Sequence, residues 1–354
     1  MKSKKPTYVT IRDVAKLADT SIATVSYVLN HPTGIRPISD ELRERVVKAA
    51  EELGYVRSAI ASSLKGSHLG MLAVFVPEFT GPVFGSFSSA ISRAAQNNNM
   101  IVTFSSSDDN PAKEKELLTL LLSQRMDGCI ICPTKAGGKN TEILRKLKIP
   151  YVVLARPFYD YTGPYNYVGA DNHQAGYLGA MELIKAGHTK VGFIGAKTIF
   201  GNVNKRLSGF KAAFQEAGLP ILESSIKLIE DEENVAEERR ALEELLYDEQ
   251  ITRLIVDYKS IAQIIFKLLG EYQISTPGDL SLVLLNSPDW APIVSPSLTT
   301  VYSHESEGGE AAVQILLDQI ETQDSENFQT KIYPCEIIQG QSVGAPRNFP
   351  LLRK

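Results

Sequence analysis

The chain has 354 residues, with 37 Lys+Arg against 41 Asp+Glu for a formal net charge of −4, and 43% of it is hydrophobic. That length suffices for roughly two to three domains with well-buried cores, and no run of ~18 apolar residues exists to form a membrane helix. Three cysteines exclude a disulfide framework and fit a reducing cytoplasm, the compartment we expect.

The charge is unevenly spread. Residues 1–65 carry 11 Lys+Arg against 7 Asp+Glu, net +4, which leaves −8 for the rest. A basic end on an acidic body suits a chain of which one part meets phosphate while the bulk stays off it. The opening MKSKKPTYVT is basic with no apolar stretch behind it, so no signal peptide is expected.

After the basic arm 1–7, residues 10–18 (TIRDVAKLA) read as a short helix with Ile11, Val14, Ala15 and Ala18 inward. A turn around Asp19 leads to 20–30 (TSIATVSYVLN), where Thr20 and Ser21 can cap a helix start. Val25, Val28 and Leu29 form its buried stripe, while Ile22, Ala23, Thr24, Ser26 and Tyr27 face outward. Two short helices so joined make a helix-turn-helix, whose second helix enters the DNA major groove. The loop 31–38 (HPTGIRPI) precedes a third helix, 40–53, capped by Ser39 and stopped by Gly54. The segment 57–66 (RSAIASSLKG) has helix-compatible residues but is too short to hold a helix alone.

From Gly70 the texture changes. Strand-like runs at 71–77, 100–106, 128–133 and 151–156 alternate with helical stretches near 84–97, 111–125 and 139–147. A second set of strands follows at 190–196, 225–230, 253–257 and 280–285. Such alternation means two doubly wound parallel sheets, with ligands held at the carboxyl ends of their strands. Cys129 and Cys132 spell C-x-x-C inside one strand, where positions three apart point to opposite faces, so they read as buried small hydrophobes. His31, His68, His173, His188 and His304 show no metal-ligand spacing. No nucleophile elbow, zinc-protease or phosphate-loop motif appears; Gly137-Gly138-Lys139 lacks both the upstream glycine and the following hydroxyl. Neither catalysis, nor a cofactor, nor a metal is expected.

VTIRDVAKLA followed by S-x-x-TVS-x-VLN resembles the headpiece of the lactose-repressor/galactose-repressor (LacI/GalR) family of bacterial transcription regulators. The likeness continues through RERVVKAAEELGY, LLLSQRMDGCIICP, GADNHQAGYLGAMELIKAGHTKVGFIG, KRLSGFKAAF and PSLTTV, so it covers nearly the whole chain. It implies an N-terminal all-α helix-turn-helix headpiece (1–56), a hinge helix (57–66) and an α/β periplasmic-binding-protein-like core of two doubly wound parallel-sheet lobes. The first lobe would take 67–168 plus 300–327, the second 169–299 plus 328–354. Residues 303–320 would return to the first lobe, and 331–342 would add a strand to the second. No leucine heptad follows, so a homodimer is expected.

The resemblance also implies a function: a repressor on a pseudo-palindromic double-stranded operator at the nucleoid, controlled by a sugar-like small-molecule effector in the cleft between the lobes. Control by a protein partner, or no ligand, stays open for the effector step, and a solute-binding receptor stays open for the class. Ile22 and Ala23 occupy the base-reading positions; being apolar, they suit a thymine methyl. Tyr27 replaces the family's usual arginine, so the guanine contact is lost. Thr10, Ser21, Thr24, Asn30 and Tyr55 can donate to phosphates, and Ser26 shares their helix face. In the hinge, Ala61 and Leu64 meet the minor groove, with Leu64 the kinking wedge and Arg57 where a proline is usual. The 31–38 loop is longer than the commonest family pattern.

The family's strongest ligand contact, an arginine in R-x-x-G-F, is here Arg206. Its acidic pair after one strand is Asn286-Ser287, and its Asn-Asp pair after the preceding strand is Tyr258-Lys259. Loss of both polar anchors implies a ligand unlike the usual neutral sugars, or none. Val83, Phe84, Phe200, Asn202 and Trp290 complete the candidate set. Phe84 and Phe200 can stack on a sugar face or serve as core, and Asp171 can touch ligand or cap the next helix.

Overall fold

The computed structural model describes residues 9–31, 38–55, 69–79, 82–198, 200–230, 234–324 and 327–346. The chain divides into two units, Met1–Leu69 and Gly70–Lys354. The basic arm, most of the 31–38 loop and the expected hinge helix 57–66, with Ala61 and Leu64, lie outside the described residues.

Among the described residues the first unit has three helices: α1 Ile11–Leu17, α2 Ile22–Asn30 and α3 Asp40–Glu52. Each start is set by a side chain. Thr10 donates its N–H and its hydroxyl to the Asp13 carboxylate at 2.8 and 2.7 Å, which holds that carboxyl below its ordinary range. Ser21 Oγ accepts from the Thr24 N–H at 3.0 Å, and Ser39 Oγ from the Leu42 N–H at 3.3 Å. Asp19 turns the chain between α1 and α2 at φ 46°, a left-handed conformation that Asp tolerates. Val14, Ala18, Val25 and Val46 are fully buried between the helices. Arg45 of α3 donates to Ala18 O at 2.9 Å, which ties the third helix to the turn.

The second unit contains two six-stranded sheets. One has the order β11-β5-β4-β3-β1-β2, with β1 Met71–Val76, β2 Ile101–Ser106, β3 Gly128–Ile131, β4 Tyr151–Leu154, β5 Asn166–Ala170 and β11 Thr330–Tyr333, every pairing parallel. The other has the order β12-β10-β9-β8-β6-β7, with β6 Gly192–Ala196, β7 Ile226–Ile229, β8 Arg253–Val256, β9 Ser281–Leu284, β10 Thr299–Tyr302 and β12 Glu336–Ile338; only β12 is antiparallel. Each sheet carries a core on both faces, as parallel sheets require. Cys129 packs with Ala73 and Phe75 on one face, and Cys132 with Val74 and Val76 on the other. Both thiols are free, and burial pushes that of Cys132 up to about 12.

The lobe boundaries differ from those expected. β5 runs to Ala170 in the first sheet, two residues past the expected limit of 168. β10, expected from residue 300 in the first lobe, pairs with β9 in the second sheet. β11, expected in the second lobe, pairs with β5 in the first. The chain therefore crosses at 171, at 303–304 and at 334–335. β11 and β12 are short and largely exposed, so their own patterning cannot choose a sheet. The helix Glu305–Thr322 before β11 buries Ala312, Leu316 and Ile320 in the first sheet's core and so delivers the chain to that sheet's edge, while Ile337 of β12 packs on the second sheet's core.

In the second lobe, His188 is 2% exposed, and Arg253 Nε donates to its Nδ1 at 2.6 Å. Burial first, then the Arg253 charge, lowers its pKa to about 4. Because the folded state resists a proton that the unfolded chain accepts near ~6.5, its contribution is complete above that pH and is lost as pH falls toward about 4. Urea unfolding across this window should lose up to ~1.4 kcal/mol per pH unit, and His188→Gln should flatten that slope.

Candidate functional site

Two surfaces gather the candidate residues. On the first unit, α2 presents Ile22, 44% exposed, and Ala23, also exposed, directly after the Ser21 cap. The Ser21 and Thr24 hydroxyls bond each other at 2.8 Å, so one proton of that pair is still available to a phosphate. Thr10 is different: its hydroxyl proton is committed to Asp13, which makes it a cap before it is a phosphate donor. Tyr27 is half-buried and stacks on His31 with ring centroids 4.6 Å apart and planes at 19°. Ser26 is half-buried beside it, and Tyr55 rests partly on the helical core. The Asn30 side chain lies outside the described residues.

Tyr27→Arg should therefore release the stack on His31 and supply a forked donor in its place. Selection from random duplex should then show a shift toward guanine at one half-site position, worth about 1–3 kcal/mol. An unchanged profile would remove Tyr27 from the reading face.

The second surface is a cavity of about 370 Å³ at the carboxyl ends of both sheets. Phe84, Phe200, Asn202, Arg206, Tyr258 and Asn286 all line it, as expected. Two candidates do not. Asp171 caps the helix Asn172–Lys185, its Oδ1 accepting the Gln174 N–H at 2.9 Å. Trp290 turns back onto the helix Lys259–Glu271, 5.8 Å from the Phe266 ring, because the loop after β9 folds over that helix's apolar side. The Val83 side chain lies outside the described residues.

Arg206 is held by buried partners. Its Nε donates to Asn172 Oδ1 at 2.8 Å, and its Nη1 pairs with Asp257, which is fully buried. Asp257 also accepts the Tyr258 N–H at 2.8 Å, and Tyr258 sits at φ 77°, a strained backbone for a residue with a side chain. Tyr258, at the position where the family's anchor is replaced, lines the cavity, while Asp257 one residue earlier holds Arg206 without lining it. The helices Asn172–Lys185 and Asn202–Glu216 cross with backbones in contact: a Cβ on Gly176 would lie 1.7 Å from Arg206 O. Glycine at the crossing is what lets the two helices fix the arginine.

Arg156, absent from the sequence candidates, lines the same cavity from the end of β4. It pairs with Asp109 at 2.9 Å, lies 4.5 Å over the Phe200 ring and reaches the Tyr258 hydroxyl at 3.4 Å. Asn202 donates back to Ala155 O at 3.3 Å. Side chains from both lobes therefore touch across the cleft. The crossovers add His304, Glu305 and Tyr333. Arg156 could have been found from its place at a strand's carboxyl end; the crossover residues carried no such signal. Among the described residues no cluster suits a metal, and no helix is long and apolar enough to cross a membrane.

Comparison with known proteins bears on both surfaces. Residues 10–58 match the bacterial regulatory proteins of the lacI family, and 180–343 match the periplasmic binding protein-like domain. The transcriptional regulator DegA of Bacillus subtilis is 30% identical over 298 residues, 82% of this chain and 86% of that one. The transcriptional repressor PurR of Photobacterium profundum is 25% identical over 94% of this chain and 98% of its own. A LacI-family regulator from Enterococcus faecalis, solved with bound ribose, is 25% identical at a TM-score of 0.67, covering 78% of this chain and 100% of its own.

Proposed function

This chain belongs to the LacI family of bacterial regulatory proteins, and from that premise we propose how it works as a DNA-binding transcriptional regulator. It represses from the cytoplasm, as a homodimer on a pseudo-palindromic operator, under the control of a small polyhydroxylated effector. Ile22 and Ala23 meet base edges through apolar contact, while Ser21, Thr24 and Tyr55 hold phosphates. Arg206, Asn202, Asn286 and Tyr258 hold the effector's polar groups, with Phe84 and Phe200 against its apolar face. The relatives are regulators rather than enzymes.

The observation that carries the effector step is the bridge across the cleft, where Arg156 of the first lobe meets Phe200 and Tyr258 of the second. A ligand there must either join or break that bridge, so its affinity differs between lobe angles and it shifts their populations. The shift reaches DNA through the segment 57–66, which in isolation is too short to hold a helix.

Removing residues 1–69 should abolish operator binding in fluorescence anisotropy while the remaining unit still responds to sugars in a thermal-shift titration. The full chain's affinity should fall steeply with salt, with a slope of about −0.9 per neutralised phosphate. Full-length protein that shows no preference for any selected duplex over competitor DNA at low salt would end this reading.

A further inference from the structure

Both guanidinium groups in the cleft are charge-matched within the chain: Arg206 by Asp257, and Arg156 by Asp109 at 2.9 Å. One acid of the same cavity is not. Glu305 opens the helix Glu305–Thr322, lines the cavity and is only 8% exposed. Its carboxyl accepts from its own backbone N–H, and no side chain among the described residues hydrogen-bonds to it. Burial pushes this carboxyl above its ordinary range despite that bond and the nearby Arg206 and His304 charges. Glu305 is therefore the acid of this lining whose carboxyl is buried without a side-chain donor, and a ligand that enters must satisfy it.

A desolvated carboxylate without a side-chain partner is costly, and a cationic donor relieves that cost more fully than a neutral hydroxyl does. An added anion would meet Glu305 and find both arginines already matched. Phe84, Phe87 and Tyr333 line the same cavity and suit the apolar face of a ring next to a cation. Building on the effector reading above, we propose that the cleft selects a polyhydroxylated ligand bearing a protonated amine, with the amine on Glu305, over its neutral, phosphorylated or carboxylated analogues.

The test uses the full chain at about pH 6.5, below the pKa of a typical α-amine. Glucosamine, galactosamine and mannosamine are titrated beside their parent, N-acetylated and phosphorylated forms, by calorimetry and thermal shift. At least one amino sugar should bind about tenfold tighter than its own parent, with N-acetylation or phosphorylation removing the gain. Glu305→Gln should bring that amino sugar down to its parent's affinity. Neutral sugars that bind with no amine preference, or a phosphorylated form that binds tightest, overturn the charge assignment and leave the effector cleft standing. An amine preference that survives in Glu305→Gln overturns the role of Glu305. If no sugar of any form binds, both this inference and the effector reading fail.

Discussion

Gly209→Ala should destabilise the second lobe by about 3 kcal/mol or more, which at this size is a fall of roughly 10 °C in Tm. The added methyl would lie 1.8 Å from His173 O and 2.8 Å from the Tyr177 N–H nitrogen, all of it backbone that cannot rotate aside. The two helices must separate, and Arg206 moves with them, so effector affinity should fall together with Tm. Gly218→Ala is the control: at φ 66° it is strained, but nothing lies within 4 Å of the new methyl, so about 1 kcal/mol is expected. Calorimetry that finds the two variants equal would contradict the close crossing of the helices.

Arg206→Ala should abolish the effector response and cost about 3–5 kcal/mol of stability, because it leaves the Asp257 carboxylate buried without its cation. The stability loss belongs to the uncompensated charge rather than to lost packing. A double variant, Arg206→Met with Asp257→Leu, should therefore recover most of the stability and none of the ligand binding. Denaturant midpoints of the wild type, Arg206→Met, Asp257→Leu and the double variant supply the cycle. A double variant as unstable as Arg206→Ala alone would mean that the pair is not the determinant.

Part of this arrangement was legible in residue order. Ser21 and Ser39 are short hydroxyl side chains directly before apolar-periodic runs, and both cap their helices. Cys129 and Cys132 fall three apart in a strand, and the sheet sends them to opposite faces. Arg206 was legible only by resemblance, since R-x-x-G-F carries no period that marks a binding arginine. Its buried partner Asp257 carried no signal in the residue order, because the resemblance bears only on the next two positions, Tyr258 and Lys259. Asp171 has one carboxylate and two possible uses, and the nearer one, the free N–H at its own helix start, takes it. Trp290 is a large apolar ring beside an uncovered helix face, and burial there wins over exposure to the cleft.

The order of residues alone determined the local elements: where helices start and stop, which runs become strands, and that two parallel sheets must form. Those features depend on neighbours within a few positions, which the sequence displays directly. Only the tertiary structure decided which sheet β10 and β11 join, that Arg156 bridges the lobes, and that Glu305 sits desolvated without a side-chain partner. Each of those depends on contacts between residues far apart in the chain, where a short exposed strand or a single charged side chain has several comparable options until the helices around it are placed.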